Sequence, residues 1–265
     1  MSYNFALINA FTKAAIGFRG NPCAVILLKE ALTDDKMQKI AADLHQPATA
    51  FLLHKQNLNF EIRWFAPDAE ILLCGHGSLA ATQFVSTNFG TPNEITFDTK
   101  TGQKIKGFIR GNNPGIELQA IRNKQDAPPS LLEEALGKKI TAYYSTDNKD
   151  IVVLENEKAV QSMQPNFQLL KKIDVFGYAV TAKSSQNNID FVSRTLVPHV
   201  QQLEDHATGS SHAALIPYWH KMLKKSHLKA LQLSPRGGYF EAEVNNNQII
   251  LAGETQAVIE GNYHF

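Results

Sequence analysis

The sequence predicts an α+β protein in two lobes, and three observations carry that expectation. Short apolar runs of strand type recur along the chain, two longer segments are apolar nearly all round, and the pattern restarts after one polar, Pro-containing stretch. With 265 residues, 43% of them apolar and 19% charged, the chain can fill two cores of ordinary size and is too apolar to stay disordered.

The first lobe opens with Phe5, Leu7 and Ile8 among polar neighbours, then the continuous run Ala24-Val-Ile-Leu-Leu28; both read as strands. Thr33 before Asp34 and Asp35 makes an N-cap with acids in the first turn, where the helix dipole favours them. Met37, Ile40, Ala41 and Leu44 follow at helical spacing, and Pro47 ends that helix near His45 by disfavouring helical geometry at Gln46. Strands are expected at 50–54 and at 59–65, where Phe60, Ile62 and Trp64 alternate. Residues 72–85 begin with glycines and a serine and continue as a segment apolar on every side, the mark of a helix inside a lobe. Further strands are expected at 94–97, 103–110 and 115–120.

Residues 122–130 read as the linker. After it come strands at 142–145, 151–155, 176–181 and 189–196, a second apolar helix at 210–223, and closing strands. Pro217 inside that helix predicts a kink, or a cost of about 3 kcal/mol offset by burial. The expected lobes are 1–120, with 255–265 as a candidate to complete it, and 121–254.

The halves echo one another. Arg63-Trp-Phe-Ala-Pro67 leads to Cys74-Gly-His-Gly-Ser78 and an apolar helix, and Arg194-Thr-Leu-Val-Pro198 leads to Asp205-His-Ala-Thr-Gly-Ser210 and another. A helix start presents unpaired N–H groups and a positive dipole end. Gly75, Gly77, Ser78, Gly209, Ser210 and Ser211 are small enough to let an anion reach those amides. If the repeats face each other, both starts point into one cleft. His76 and Asp205 are the candidates for proton transfer, because a histidine titrates near neutrality and a cleft aspartate can be tuned toward it. Spacing alone favours a plainer assignment, in which the glycines only turn the chain, His76 is a capping or hydrogen-bonded histidine and Asp205 an N-cap; the two turns taken together favour a site. His206 is expected on the loop surface and His212 on the helix. Cys74 would be activated at a helix start, but a two-thiol racemase needs a cysteine where this chain has Thr208; Cys23 reads as core.

Several classes are excluded. Net charge is +1 and the lysines are scattered, so no nucleic-acid partner is expected; Lys221, Lys224 and Lys225 read as a solvated helix end. No run approaches the roughly 18 apolar residues of a membrane span, and the N-terminal residues lack the pattern of a signal peptide. Two cysteines make no disulfide framework, which points to a reducing, cytoplasmic location. With no Cys-x-x-Cys or His-x-x-x-His pair, no metal is expected.

Several longer stretches carry a resemblance. Phe18-Arg-Gly-Asn-Pro-Cys-Ala-Val25, Arg63-Trp-Phe-Ala-Pro67, Leu73-Cys-Gly-His-Gly-Ser-Leu-Ala80, Asp190-Phe-Val-Ser-Arg194, Glu204-Asp-His-Ala-Thr-Gly-Ser-Ser-His212 and Gln232-x-Ser-x-Arg-Gly-Gly238 are similar to the PhzF-like (phenazine biosynthesis-like) isomerases, relatives of diaminopimelate epimerase. The resemblance runs through nearly the whole chain. It implies two pseudo-symmetric lobes, each a curved mixed β-sheet, barrel-like, around a central α-helix, with the site between them. It also implies a homodimer and no cofactor. In the best-understood members of that family a glutamate moves a proton across 2,3-dihydro-3-hydroxyanthranilate while a His, an Asp and a Ser bind and orient the substrate. Those three map onto His76, Asp205 and Ser210, with Gly75 and Gly209 offering amides.

The glutamate does not map. Where the family usually has Ser-Glu-Thr-Ala-Phe, this chain has Pro47-Ala-Thr-Ala-Phe51, placing Ala48 at the acid–base position. Losing a positioned acid–base group costs about 10²–10⁴-fold in rate. The expected function is a PhzF-like isomerase transferring a proton on a small carboxylate-containing metabolite. Its proton carrier would then be His76 or Asp205, or His45 swinging in from its helix end, or the substrate differs. The alternative is a catalytically silent small-molecule-binding or scaffold protein, and a third reading is a one-thiol racemase using Cys74.

Overall fold

The apolar runs fold as strands whose pairings follow the same order twice. The computed structural model describes residues 2–90 and 94–265; Met1, where the N-terminal reading begins, lies outside the described residues. The chain forms two units, one made of the described residues up to Leu118 with Ile250–Phe265, the other of Gln119–Ile249.

In the first unit the elements are β1 (Ser2–Thr12), β2 (Asn21–Leu28), α1 (Asp34–Leu44), β3 (Ala48–Gln56), β4 (Asn59–Phe65), β5 (Glu70–Ile71), α2 (Gly75–Phe89), β6 (Ile95–Thr99), β7 (Lys104–Arg110) and β8 (Asn113–Gln119). β1 runs antiparallel to β2, β2 parallel to β3, β3 antiparallel to β4, β4 parallel to β6, and β6 antiparallel to β7. The two-residue β5 pairs with the end of β4 and hands the chain to α2. α1 starts where Thr33 Oγ1 accepts the Lys36 N–H and ends at His45, whose φ is +50°. It lays Met37, Ile40 and Ala41 on Tyr3, Ile26, Phe51 and Phe65. α2 lies against β1, β2, β3 and β7 and is buried from Gly75 to Thr82. An apolar all-round segment has no face to give to water, so strands cover it.

The second unit holds β9 (Asn123–Gln125), α3 (Leu132–Leu136), β10 (Ile140–Thr146), β11 (Asp150–Leu154), α4 (Glu157–Gln161), α5 (Phe167–Leu170), β12 (Tyr178–Lys183), β13 (Phe191–Leu196), β14 (Glu204–Asp205), α6 (Gly209–Leu223), β15 (His227–Gln232) and β16 (Gly238–Asn245). The boundary between the units falls within β17 (Gln248–Ala252), and β18 (Glu254–His264) pairs antiparallel along β1. Here β10 is antiparallel to β11, β11 parallel to β12, β12 antiparallel to β13, β13 parallel to β15, and β15 antiparallel to β16. β14 stands to β13 as β5 stands to β4. The fold is mixed α+β and mostly sheet.

The echoed Arg-x-x-x-Pro runs have one mechanical job. Arg63 Nε donates to Glu70 at 2.8 Å, and Arg194 Nε and Nη2 donate to Glu204 at 2.8 and 2.7 Å. Each arginine thereby ties a sheet strand to the short strand that precedes a buried helix. Both pairs are shielded enough from water to hold geometry.

Two expectations need correction. The stretch 122–130 is not all linker, because Asn123–Gln125 pairs with Tyr144–Thr146 as β9. Three polar residues carry no periodicity that could announce a strand. The sequence also did not show α3, α4 and α5, which are too short for a helical repeat and are set by local caps such as Asn156 and Asn166. As for Pro217, α6 continues through it. The carbonyl that proline leaves without a donor, Ala213 O, accepts the Ile121 N–H at 2.9 Å. Among the described residues no helix is long and apolar enough to cross a membrane.

Candidate functional site

The first turn is built from β2, β3 and the start of α2. Gly20 adopts φ +63°, and a Cβ there would stand 2.1 Å from the Ala10 carbonyl oxygen, so only glycine admits this entry into β2. Asn21 follows, buried, with its Nδ2 3.3 Å from His76 Nδ1. Cys74, the N-cap of α2, brings its Sγ to 3.5 Å from the same ring nitrogen. Ala48 is wholly buried and stands in parallel register with Cys23. Burial pushes the Cys23 thiol well above its ordinary range, and Cys74 adds to the effect. The neighbour of Ala48 along the ladder is therefore a neutral thiol. Cys23 is core, as expected.

Ser78 and Gly77 serve the helix itself. Ser78 donates its hydroxyl to Cys74 O at 2.7 Å and its N–H to the same oxygen at 2.9 Å. A Cβ at Gly77 would lie 2.7 Å from Trp64 Cδ1 and 3.0 Å from Cys74 Sγ. Alanine gains about 1 kcal/mol of helix propensity over glycine, whereas overpacking a closed core costs about 1–3 kcal/mol. Trp64 is 1% exposed and has nowhere to move. Gly77→Ala is therefore expected to lower the thermal midpoint; an unchanged or raised midpoint would show that the indole yields.

The second turn is organised around Thr208, the N-cap of α6. Asp205, partly buried at the end of β14, is not that cap. Its Oδ1 accepts the His206 N–H at 2.9 Å and its Oδ2 the Thr208 hydroxyl at 2.6 Å. Gln232, buried on β15, accepts the Thr208 N–H at 2.8 Å and donates to Asp205 O at 2.7 Å. Asp205 is thus held on both oxygens, with the loop fixed beneath it. His206 is partly buried rather than lying on the loop surface, and its carbonyl accepts the Ser234 hydroxyl at 2.6 Å.

Ser210, in the first turn of α6, accepts a hydrogen bond from Lys149 Nζ at 3.1 Å. Ser211 is occupied by Thr195, 3.0 Å away. His212 is wholly buried, donates Nδ1–H to Thr208 O at 2.8 Å, and stacks on Phe240 with ring centres 3.6 Å apart. Burial holds its pKa down to about 4, so the ring is neutral and structural.

Within the first unit the structure thus gathers His76, Gly75 and Cys74 with Asn21; within the second it gathers Asp205, Gly209 and Ser210 with Lys149 and Gln232. Lys149 was missed by sequence reasoning, and Asn21 and Gln232 entered it only inside the quoted motifs, with no role assigned. Asn21 had a faint signal in the Gly-Asn-Pro run, whereas a lysine in Asp147-Asn-Lys-Asp150 reads as solvent-facing. Among the described residues, no group of three or more His, Cys, Asp or Glu is placed to hold a metal.

Comparison with known proteins adds to this geometry. Residues 8–261 match the family described as phenazine biosynthesis-like protein. An uncharacterized isomerase of Halalkalibacterium halodurans is 34% identical over 258 residues, spanning 96% of this chain and 95% of its own. The crystal structure of a PhzF-family phenazine biosynthesis protein of Enterococcus faecalis is similar with a TM-score of 0.90 and 35% identity, covering 100% of both chains. A hydroxyproline epimerase of Agrobacterium vitis has a TM-score of 0.63 at 11% identity, covering 98% of this chain and 92% of its own, a likeness of fold alone.

Proposed function

The chain belongs to the phenazine biosynthesis-like protein family, and from that premise we propose that it is an isomerase moving a proton on a small carboxylate-bearing metabolite. One acid–base group removes a proton from a carbon made acidic by its neighbours, and another returns a proton at the product carbon, so no cofactor enters the balance. His76 and Asp205 carry those protons. Gly75, Gly209 and Ser210 hold the carboxylate, while Gly77 and Ser78 keep the first helix start in shape. Ala48 occupies the position of the glutamate usual in the family, and its methyl group leaves the chemistry to the other two residues. The working form is a cytoplasmic homodimer, which light scattering at the mass of two chains would check.

The observation that supports this reading is the matched pair of helix starts. Each follows an Arg–Glu-braced strand pair, each has an N-cap in extended conformation, and each carries small polar residues where first-turn amides have no partner within the helix. The reading requires both turns to act on one substrate.

Isotope exchange tests it. With the protein in D2O, 2,3-dihydro-3-hydroxyanthranilate and trans-4-hydroxy-L-proline are offered as probes and followed by NMR. Protein-dependent deuterium at a carbon position is expected in at least one. Saturable binding without exchange would instead identify the catalytically silent binder, which Ala48 favours. Neither exchange nor binding would remove both readings for this substrate class.

A further inference from the structure

Lys149, in the turn between β10 and β11, is used by no role described so far, yet it is only 7% exposed. An ammonium withdrawn from water is costly unless its N–H groups find partners. Lys149 Nζ donates to Asn148 Oδ1 at 2.8 Å and to Ser210 Oγ at 3.1 Å, and lies 5.2 Å from the centre of the Phe176 ring, within cation–π range. Its stem is confined as well. A Cβ at Gly177 would stand 2.8 Å from the Leu196 carbonyl oxygen and 3.3 Å from Lys149 Cγ, so glycine there leaves the stem its room. The Asp150 N–H, bound to Gly177 O at 2.9 Å, clamps the two segments together.

The direction of the Ser210 bond decides what that serine can do. An ammonium has donors only, so Ser210 Oγ accepts from it and its own proton points to another acceptor. A donating cation polarises the hydroxyl and strengthens its onward donation. Ser210 lies in the first turn of a 15-residue helix, whose leading N–H groups can only donate. A committed hydroxyl proton, donor amides and a fixed positive charge all favour an oxyanion over a neutral group.

We infer that Lys149 is a positioning residue that makes the Ser210 turn selective for a carboxylate, acting through Ser210 Oγ. This rests on the reading that Ser210 binds substrate. It adds the source of charge selectivity in a turn that carries no lysine or arginine of its own.

Calorimetric titration with anthranilate and its neutral isostere anthranilamide separates the outcomes. Wild type is expected to prefer anthranilate by at least tenfold. Lys149→Met should abolish that preference by weakening anthranilate alone, while Lys149→Arg, which keeps the charge, should restore most of it. Ser210→Ala should remove the preference even with Lys149 present. Lys149→Met retaining the preference, or weakening both ligands equally, overturns the role of Lys149 and leaves the carboxylate reading standing. If Lys149→Met does not fold, the wild type still decides: equal affinity for the two probes overturns the inference. Binding of neither probe overturns the functional reading, and this inference with it.

Discussion

Asp205→Asn is expected to lower proton exchange by about 10²–10⁴-fold while leaving the protein folded. Asparagine has nearly the same shape. Its amide oxygen can replace one of the two acceptors that Asp205 offers to the His206 N–H and the Thr208 hydroxyl. Its NH2 can donate to the Thr208 oxygen, with the hydroxyl reversed. One hydrogen bond of the turn is weakened, worth about 1 kcal/mol, and Gln232 continues to hold Thr208 and the Asp205 carbonyl. What an amide cannot do is take and return a proton. The alternative role for Asp205, as a purely mechanical anchor, predicts the reverse: a shifted thermal midpoint with exchange unchanged. Measuring both quantities on one preparation decides between them.

The second large effect is on stability, through His212. Its pKa is held at about 4 in the folded protein, against the usual 6.5, chiefly because burial disfavours the charged ring, with the Thr208 carbonyl opposing. Between those values the unfolded chain binds more protons than the folded one, so stability falls as pH drops. Nothing is lost above the unfolded value, and below about pH 4 the loss levels off at about 3 kcal/mol. The depressed carboxylates Asp34, Glu70 and Glu157 act at lower pH, because their usual values are 3.8, 4.5 and 4.5. The window from pH 6.5 to 5 therefore lies above these carboxylates, and comparison with His212→Asn separates this ring from the other histidines. In denaturant titrations wild type is expected to lose about 2 kcal/mol across that window. His212→Asn should start less stable, from the lost Phe240 stacking, and show little slope. Equal slopes in the two proteins would mean that the ring is not buried and neutral as described.

Parts of this fold were legible because their causes are local. The first helix could be bounded at both ends, by the Thr33 cap and by the proline after His45, since cap chemistry needs only adjacent residues. Strand Asn59–Phe65 followed from alternation alone. The buried helices showed themselves by having no polar face. Legibility failed where a partner far along the chain supplies the reason. Residues 123–125 are a strand only because Tyr144–Thr146 lies beside them, and nothing near Lys149 in the sequence marks it as buried. Asp205 could be narrowed to a cap or an acid–base group, and the coordinates then removed the cap by giving that place to Thr208.

Composition, spacing and the two echoed segments were thus enough to set the mixed fold and the pair of glycine-containing helix starts, and the resemblance of the longer motifs pointed to the family, because each depends on the order of residue types along one stretch. Folding in three dimensions decided which polar atoms meet. It turned Ser78 inward to its own helix, set Gln232 beneath Asp205, enclosed His212 against Phe240 and brought Lys149 to Ser210 across 61 positions. Hydrogen bonds act over about 3 Å, and distances that short between remote residues exist only once the chain has closed on itself.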